Sequence, residues 1–465
     1  MIRMDVRTVA EITGGHLLQN GGSVAFSGIS TDSRTLQSGE LFIPLRGENF
    51  DGHDYLTQAI QRGAAACLSE EMIGGLRVPV IKVDDTRQAL GDLAAAIRRK
   101  FSGPVIGITG TSGKTTCKEM LAAVLETLGP GLKSAGNYNN LIGVPLTLFN
   151  LQPEHRWAVI EMGMSARGEI ARLAEIAGPD IGLITNVGAG HLENFDGLSG
   201  VALAKGELFI QLPAKGIALI NVDDPEIVRL PVANGVRKVT FGTSEHAEMR
   251  ATAISSRNGS VQFDLCHGNQ RQTVLLPLPG RHNVANALAA AAAASVLGVG
   301  LSEIAAGLTA FQPCPGRMEL IALARDIVVL EDSYNANPLS VHAALDALYD
   351  LGTPGQRIAV LGDMLELGQS AAELHQQIGQ IAAERVDHLL TYGSLAGEVA
   401  RGARDAGLSA ARIFVCDRHE QVVERLLGIL NPGDRVLIKG SRGMRMEKIT
   451  AALRLALQEP AANGD

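Results

Sequence analysis

The sequence predicts an α/β protein of three domains, and three observations support that prediction. Apolar runs rich in Val, Ile and Leu alternate along the chain with helical segments, which is typical of parallel sheets covered by helices. Two segments that contain Gly and Pro, SGP at 102–104 and FQPCPGR at 311–317, interrupt this alternation. The length of 465 residues suits two to four domains. We therefore expect domains at 1–101, 102–312 and 313–465.

The composition predicts a globular protein that binds no nucleic acid. Hydrophobic residues make up 46% of the chain and charged residues 19%, so large cores can form. The formal net charge of −8 gives no basic face for a nucleic acid. The five cysteines form no Cys-x-x-Cys pair, which suits a reducing compartment. The N-terminus lacks the apolar core of a signal peptide, and the apolar run at 287–301 is too short to span a membrane. We therefore expect a cytoplasmic protein with no membrane span.

Each block contains recognisable elements. In the first block, 1–101, the sequence predicts short strands and turns and then an Ala-rich helix near 88–100. The second predicts buried strands at PVIGIT, WAVIEMG, IGLITNVG and GIALINVDD. Residues 245–279 alternate like antiparallel strands, and the helix HNVANALAAAAAASVLG follows. The third predicts strands at DIVVLED, RIAVLGD, HLLTYG, RIFVC and RVLIKG.

The segment GITGTSGKTT at 107–116 lies between a predicted strand and a predicted helix. It departs from the usual phosphate-loop pattern G-x-x-x-x-G-K-[ST], because Ile108 stands where that pattern has its first Gly. Its context still favours a phosphate-binding loop over a plain Gly-rich turn, since backbone N–H groups and a helix N-terminus attract anions. In this interpretation Lys114 contacts the β- and γ-phosphates of ATP, and Thr115 offers its hydroxyl to Mg²⁺. The loop residues expected at the nucleotide are Gly110, Thr111, Ser112, Gly113, Lys114, Thr115 and Thr116.

A metal ion at this loop requires a carboxylate from a neighbouring strand. Glu161 ends the apolar strand WAVIE just before Gly163, so we expect it to bind Mg²⁺. His191 follows the next strand in a Gly-rich loop at the edge where parallel sheets bind ligands, although a lone loop histidine is often only a surface residue. By pattern alone, Lys205 is a solvated lysine on a helix.

Polar residues around the second boundary form a third set of candidates. Asn283 and Asn286 lie three residues apart at a helix start, where they either read an adenine edge or cap the helix. Asp332 follows a strand in the polar turn DSYNANP. Arg317 lies just beyond the boundary, so it reaches a γ-phosphate only when the domains close, which would couple closure to chemistry.

These motifs together resemble those of the Mur ligases of bacterial cell-wall synthesis. The motifs are GITGTSGKTT, EMGMS, TNVGAGHLENF, AKGELF, GRHNVANALAA, PGRME and DSYNANP. The chain is most similar to the member that adds D-alanyl-D-alanine, which shares the segments STDSRTLQSGELFIPLRGENFDGH, GNYNNLIGVPLTL, VLGDMLELG and KGSRGMRME. The family's phosphate loop is shortened, with glycines spaced as here. The resemblance implies a small N-terminal UDP-binding domain, a central P-loop ATPase domain with a parallel sheet and a C-terminal Rossmann-like domain, in a monomer.

The resemblance also implies an activity. ATP would phosphorylate the free carboxylate of a UDP-N-acetylmuramoyl-tripeptide, and the amine of D-alanyl-D-alanine would attack the acyl phosphate. The products would be UDP-N-acetylmuramoyl-pentapeptide, ADP and phosphate, in peptidoglycan precursor synthesis. A carboxylate is inert to amines until phosphoryl transfer gives it a leaving group, so the protein's work is charge neutralisation and positioning.

The resemblance assigns roles to single residues. Thr115 and Glu161 would bind one Mg²⁺, and His191 a second, beside Lys205, which aligns with a lysine that is often carbamylated in the family. Asn283, with Asn286, would approach adenine, Asp332 the ribose and Arg317 the γ-phosphate. The residues expected at the UDP-muramoyl-peptide are Ser30, Thr31, Asp32, Ser33, Arg34, His53, Asn139 and Asn140. One departure is Gly190, where the family more often has Ala, and it removes no ligand.

Two other functions remain open at this stage. One is another amide ligase of the same superfamily, such as a folylpolyglutamate synthase or the diaminopimelate- or lysine-adding Mur ligase, although the chain lacks the latter's D-N-P-R motif. The other is a nucleotide-dependent switch that hydrolyses ATP without ligation. The sequence also leaves open whether Lys205 is modified, and whether the peptide carries diaminopimelate or lysine at its third position.

Overall fold

The computed structural model describes residues 4–18, 23–190 and 192–457, so the expectation for His191 lies outside the described residues. The described part of the N-terminal domain contains small sheets and three α-helices. In chain order its elements are β1 (Met4–Asp5), α1 (Val6–Thr13), β2 (His16–Leu17), β3 (Ala25–Phe26), β4 (Ile29–Ser30), β5 (Leu41–Phe42), α2 (Leu56–Gln61), β6 (Ala66–Ser69), β7 (Val80–Lys82) and α3 (Thr86–Arg98). The described strands form a β1–β3 pair and a sheet of order β2-β7-β6-β5-β4, parallel except for β2.

The central domain is built on a long sheet. Its elements are β8 (Val105–Thr109), α4 (Lys114–Leu125), β9 (Leu132–Lys133), α5 (Gly143–Leu148), β10 (Ala158–Glu161), α6 (Glu169–Ala177), β11 (Ile181–Ile184), α7 (Gly197–Ile210), β12 (Ile217–Asn221), α8 (Pro225–Val228), β13 (Arg237–Gly242), β14 (Met249–Arg257), β15 (Ser260–His267), β16 (Gln270–Leu276), α9 (His282–Val296) and α10 (Leu301–Ala310). The sheet order is β16-β15-β14-β13-β12-β11-β8-β10-β9.

The strand order of this sheet positions the candidate site. Pairing is parallel from β9 to β14, and β14, β15 and β16 are antiparallel, as the alternation in 245–279 predicts. The central strand β8 is entirely buried and pairs with β10 on one side and β11 on the other. Glu161 is in register with Ile108, and Ile184 with Thr109. The carboxyl ends of the three strands therefore meet at one edge of the sheet.

The C-terminal domain repeats the α/β alternation. Its elements are β17 (Glu319–Leu323), β18 (Ile327–Asp332), α11 (Pro338–Asp350), β19 (Arg357–Gly362), α12 (Ala371–Ala383), β20 (His388–Tyr392), α13 (Ala396–Asp405), β21 (Ile413–Cys416), α14 (His419–Ile429), β22 (Arg435–Lys439) and α15 (Glu447–Ala456). The order is β17-β18-β22-β19-β20-β21, parallel except at the edge strand β17. The three-domain α/β architecture expected from the sequence is confirmed.

The central and C-terminal domains share apolar packing. Residues Ala287–Ala294 of α9 are buried, and they belong to one core cluster with Leu121 of α4. The same cluster includes Ala344 and Leu348 of α11 in the C-terminal domain. The Ala-rich part of the apolar run, 287–294, is thus buried within the protein, as its Ala content predicts. Within the described ranges, no helix combines the length and hydropathy needed to cross a bilayer.

Helices α12 and α13 cross at two glycines. A Cβ atom at Gly379 would lie 2.0 Å from the carbonyl oxygen of Val399, and one at Gly402 would lie 2.0 Å from that of Gln376. Because both contacts are with backbone atoms, a side chain could be accommodated only if the helices moved apart.

Gly379→Ala is therefore expected to lower the free energy of unfolding by about 1–3 kcal/mol, the usual cost of overpacking. The control is Gly428→Ala on α14, where an added Cβ meets nothing within 4 Å. That change should raise stability by about 0.5–1 kcal/mol, because alanine loses less backbone entropy in a helix. Urea unfolding of both variants tests this, and equal stabilities would contradict the close crossing.

Candidate active site

Two glycines allow the loop between β8 and α4 to approach its neighbours closely. Gly110 has φ 151° and Gly113 has φ 80°, a region that L-residues rarely adopt. A Cβ at Gly110 would lie 1.9 Å from Thr185 Oγ1, and one at Gly113 would lie 2.2 Å from Asn286 Oδ1. Glycine is thus required at both positions by the backbone and by contact.

The end of the neighbouring strand β11 holds this loop in shape. Asn186 accepts a hydrogen bond from the Ser112 N–H at 2.9 Å and donates one to the Ser112 carbonyl at 3.0 Å. Thr185 Oγ1 donates to the same carbonyl at 2.6 Å. Thr111 exchanges hydrogen bonds with Gly188 through its hydroxyl. Thr185 and Asn186 are not among the residues predicted from the sequence, although their place at the end of a strand beside β8 indicates a role.

Lys114 begins α4, and its side chain folds back over the loop. Its Nζ donates to the Gly110 carbonyl at 2.7 Å. The pKa of Lys114 is lowered, chiefly because the surrounding protein excludes water; the Glu161 carboxylate opposes the shift, and the charge of Arg317 adds to it. The Lys114 amine is therefore held at the loop, and the charge of Arg317 is close enough to lower its pKa. Thr116 follows in the same first turn of the helix.

The carboxylate of Glu161 is buried at the end of β10 and is contacted from two sides. Thr115 Oγ1 donates to Oε2 at 2.8 Å, and Asn139 Nδ2 donates to Oε1 at 2.9 Å. The Nζ of Lys118, a fully buried lysine that sequence reasoning missed, lies 3.7 Å from Oε2. Its position one helical turn after Lys114 and Thr115 was the available indication.

The oxygen atoms of Thr115 and Glu161 fit a magnesium ion. Mg²⁺ prefers hard oxygen ligands and usually keeps several waters, so one or two protein oxygens and substrate phosphates complete its shell. The described residues contain no group of three or more His, Cys, Asp or Glu side chains arranged for a metal. This donor set therefore suits a phosphate-bound Mg²⁺ rather than a site closed by protein ligands.

The structure contradicts the pattern-based interpretation of Lys205 as a solvated lysine. Its relative exposure is 3%, and it is one of the buried residues of α7. It has no hydrogen bond or ion pair with any residue that the structure describes. Exclusion of water, and secondarily the charge of Lys114, lower its pKa well below the ordinary value. The Lys205 amine therefore loses its proton more readily than an exposed lysine does.

Asn283 and Asn286 are both buried, and the capping alternative is wrong for both. The amide of Asn286 donates to Asn283 Oδ1 at 3.0 Å, and Asn283 Nδ2 donates to the Pro279 carbonyl at 2.8 Å. No side chain caps the N-terminus of α9. Asn286 instead lies against Gly113 of the loop. Contact with adenine remains a prediction.

The C-terminal domain brings its own residues to the loop. Asn337 Nδ2 donates to Ser112 Oγ at 3.0 Å, across the boundary between the two domains. The guanidinium of Arg317 stacks on Tyr334, with its Cζ 4.0 Å from the ring centroid. Asp332 accepts a hydrogen bond from the buried Lys439, its register partner on β22, and one from the Met318 N–H at 3.2 Å.

The expected substrate residues of the N-terminal domain form local hydrogen bonds. Asp32 pairs with Arg34 at 2.8 Å, and the hydrogen bonds from Arg34 lower the pKa of Asp32 to about 2. Ser30 Oγ donates to the Asp32 carbonyl, and Ser33 Oγ donates to the Gln58 side chain at 2.7 Å. Thr31 lies between them, half-buried. These contacts fix the turn and leave the exposed Arg34 side chain at the surface.

His53 and Asn140 have structural partners. His53 Nδ1 lies 2.6 Å from Asp51 Oδ1, and its Nε2 accepts from the Glu70 N–H at 3.0 Å, so both ring nitrogens are engaged. Asn140 Oδ1 accepts from the Gly143 N–H at 2.8 Å, at the start of α5. Their roles in substrate binding remain predictions.

Known proteins share this arrangement along the whole chain. Family profiles for the Mur ligase family catalytic domain, the Mur ligase middle domain and the Mur ligase glutamate ligase domain match residues 25–98, 108–294 and 316–442. The UDP-N-acetylmuramoyl-tripeptide–D-alanyl-D-alanine ligase of Escherichia coli K12 is 40% identical over 463 residues, covering 98% of this chain and 99% of that protein. The chain belongs to the Mur ligase family.

Solved structures of Mur ligases agree with this result. A crystal structure of MurF from Acinetobacter baumannii is similar with a TM-score of 0.91 and 33% identity, over 98% of this chain and 99% of that chain. MurF from Thermotoga maritima in complex with ADP has a TM-score of 0.83 and 28% identity, covering 92% and 97%. The expected resemblance to this member of the family is thus confirmed.

Gly113→Ala is expected to weaken binding of an adenine nucleotide by roughly 10-fold or more, because the left-handed backbone and the contact with Asn286 both oppose a Cβ. The control is Gly268→Ala in the β15–β16 turn, where φ is 57° and an added Cβ meets nothing within 4 Å. Calorimetric titration with ADP measures both affinities. Comparable binding by the two variants would contradict the loop assignment.

Proposed function

We propose that this protein is an ATP-dependent amide ligase that joins D-alanyl-D-alanine to UDP-N-acetylmuramoyl-tripeptide. The product is UDP-N-acetylmuramoyl-pentapeptide, a precursor of peptidoglycan. The observation that supports this most strongly is the joint position of Lys114, Thr115 and Glu161 at one sheet edge, in a chain that matches ligases of this activity from end to end.

The chemistry begins with transfer of the γ-phosphoryl group of ATP to the terminal carboxylate of the tripeptide. We assign Lys114 and the backbone N–H groups of the loop to the phosphates, where they offset negative charge. We assign Arg317 to the γ-phosphate, since the charge of Arg317 already acts on Lys114 in this conformation. The amine of the dipeptide then attacks the acyl phosphate, and phosphate leaves.

We assign Thr115 and Glu161 to one Mg²⁺ and His191 and Lys205 to the neighbourhood of a second. Bound metal would neutralise charge on the phosphate oxygens during transfer. Lys205 contributes a buried amine whose pKa is lowered by the exclusion of water, and the deprotonated amine is the form that reacts with carbon dioxide. We therefore propose that Lys205 is carbamylated, which would convert a cation into an anionic ligand.

We assign the remaining candidates by position. Asn283 and Asn286 face adenine, and Asp332 binds the ribose. Asn139 and Asn140 contact the muramoyl-peptide, and the turns that contain Ser30–Arg34 and His53 bind the UDP moiety. We place the domain boundaries after residues 101 and 312, and we propose that the enzyme is a cytoplasmic monomer.

The direct test is ATP-dependent phosphate release by the purified protein with UDP-N-acetylmuramoyl-tripeptide, with and without D-alanyl-D-alanine. Release should require both substrates and yield a product heavier by one dipeptide. Lys114→Ala should abolish release while leaving the melting temperature close to that of the parent protein, because the side chain only folds over the loop. Phosphate release that does not depend on D-alanyl-D-alanine would indicate another acceptor or a nucleotide switch.

Arg317→Ala is expected to lower kcat far more than it raises KM for the UDP-tripeptide, because an interaction made at the γ-phosphate acts in the transition state. A loss of roughly 100-fold or more in kcat matches the removal of one charge-stabilising group. The control is Arg442→Ala, whose guanidinium lies farther from the same Tyr334 ring, at 5.9 Å. Equal changes in kcat and KM for Arg317→Ala would contradict the assignment.

A further inference from the structure

Lys118 is a fully buried lysine whose charge no step of the proposed reaction uses. It lies on α4 three residues after Thr115, so both side chains project from neighbouring turns of one helix face. Burial of an ammonium group is costly unless partners surround it. The position of Lys118 therefore calls for an explanation from its contacts.

Three acceptors surround the ammonium group. Nζ donates to the Ser134 carbonyl at 2.6 Å, lies 3.2 Å from Glu119 Oε1 and lies 3.7 Å from Glu161 Oε2. An ammonium group has three N–H donors, so each neighbour can take one. Glu119 is further paired with Lys133, which lies at the surface. Lys118 thus joins the phosphate-binding helix to β10 and to the residue that follows β9.

Ser134 begins the segment 134–140, which is attached to the end of β10 at two points. Near its start, Ser134 Oγ accepts from the Glu161 N–H at 3.0 Å. Near its end, Asn139 donates to Glu161 Oε1 at 2.9 Å and accepts from the Gly163 N–H at 2.7 Å. The carboxylate of Glu161 is therefore held between this segment on one side and α4 on the other.

We propose that Lys118 is a positioning residue that keeps the Glu161 carboxylate and the segment 134–140 in one fixed relation to the phosphate-binding helix. Loss of its charge frees the carboxylate to turn and the segment to move. The affinities for Mg²⁺ and for the UDP-peptide then fall together, although Lys118 touches neither ligand. That the segment 134–140 binds the UDP-peptide rests on the proposed function, whereas the contacts of Lys118 do not depend on it.

A purely stabilising role would lead to a different result. Removal of one partner of a buried ion pair is usually destabilising, so Lys118→Met is expected to lower the melting temperature under either role. If Lys118 positions Glu161, its replacement also lowers the affinities of the folded protein for Mg²⁺ and the UDP-peptide. If it only stabilises the core, those affinities stay unchanged.

The test compares Lys118→Met with Lys133→Met. Both changes remove a lysine that pairs with Glu119, but only Lys118 reaches Glu161. Lys118→Met should raise both the Mg²⁺ concentration for half-maximal phosphate release and KM for the UDP-tripeptide by roughly 10-fold, as loss of a group that orients a metal ligand does. Lys133→Met should change either value by no more than about twofold, because the pair is exposed.

Amide hydrogen exchange without metal or substrate gives a readout that is independent of activity. Exchange within 134–140 should be faster in Lys118→Met than in the parent protein, and unchanged in Lys133→Met. Parent-like exchange and parent-like Mg²⁺ dependence in Lys118→Met would overturn the proposal. If the parent shows no dipeptide-dependent release, the ligase function fails, while the exchange comparison still decides the positioning role.

If Lys118→Met does not fold, Lys118→Gln replaces it in the test, because the glutamine amide keeps a hydrogen-bond donor and carries no charge. The same increase in exchange within 134–140 is expected. Unchanged exchange in the Gln variant would count against positioning by the charge.

Discussion

The buried carboxylate of Glu161 is the interaction on which the rest of the site depends. A carboxylate withdrawn from water is costly unless donors and cations satisfy it, and here Thr115 and Asn139 each donate to one oxygen while Lys118 lies nearby. The parallel register of β8 and β10 sets the position of this carboxylate. It places Glu161 beside Ile108, two residues before Gly110 of the loop between β8 and α4. Sheet topology thus determines where the Glu161 carboxylate meets the loop between β8 and α4.

Contact between two domains completes the arrangement. The loop residue Ser112 bonds to β11 through its backbone and to Asn337 of the C-terminal domain through its hydroxyl. The same domain supplies Arg317, whose charge acts on Lys114. Ser112 is thus held from both sides, by its own domain and by the C-terminal domain. If the loop binds the phosphates of ATP as proposed, ligand binding and domain contact share this residue, which suits a reaction whose acyl phosphate must be shielded from water.

Much of the fold was predictable because local sequence patterns indicate its strands and helices. Buried parallel strands read as apolar runs, and the antiparallel segment at 245–279 reads as alternation. The position of Glu161 was predictable, because a charged residue that ends an apolar strand lies at the edge of the sheet. The burial of Lys118 and Lys205 was not, because it depends on packing between elements distant in sequence. Asn283 and Asn286 could not be resolved from spacing alone, since their partners, Pro279 and Gly113, are set by tertiary structure.

In the proposed reaction the tripeptide carboxylate becomes an acyl phosphate before the new amide forms. Ligation with UDP-tripeptide labelled with oxygen-18 in its terminal carboxylate tests this directly. In an acyl phosphate one carboxylate oxygen bridges to phosphorus, and attack by the amine leaves it on the departing phosphate. We expect one labelled oxygen in each inorganic phosphate released, measured by mass spectrometry. Unlabelled phosphate, with amide product formed at the normal rate, would contradict it.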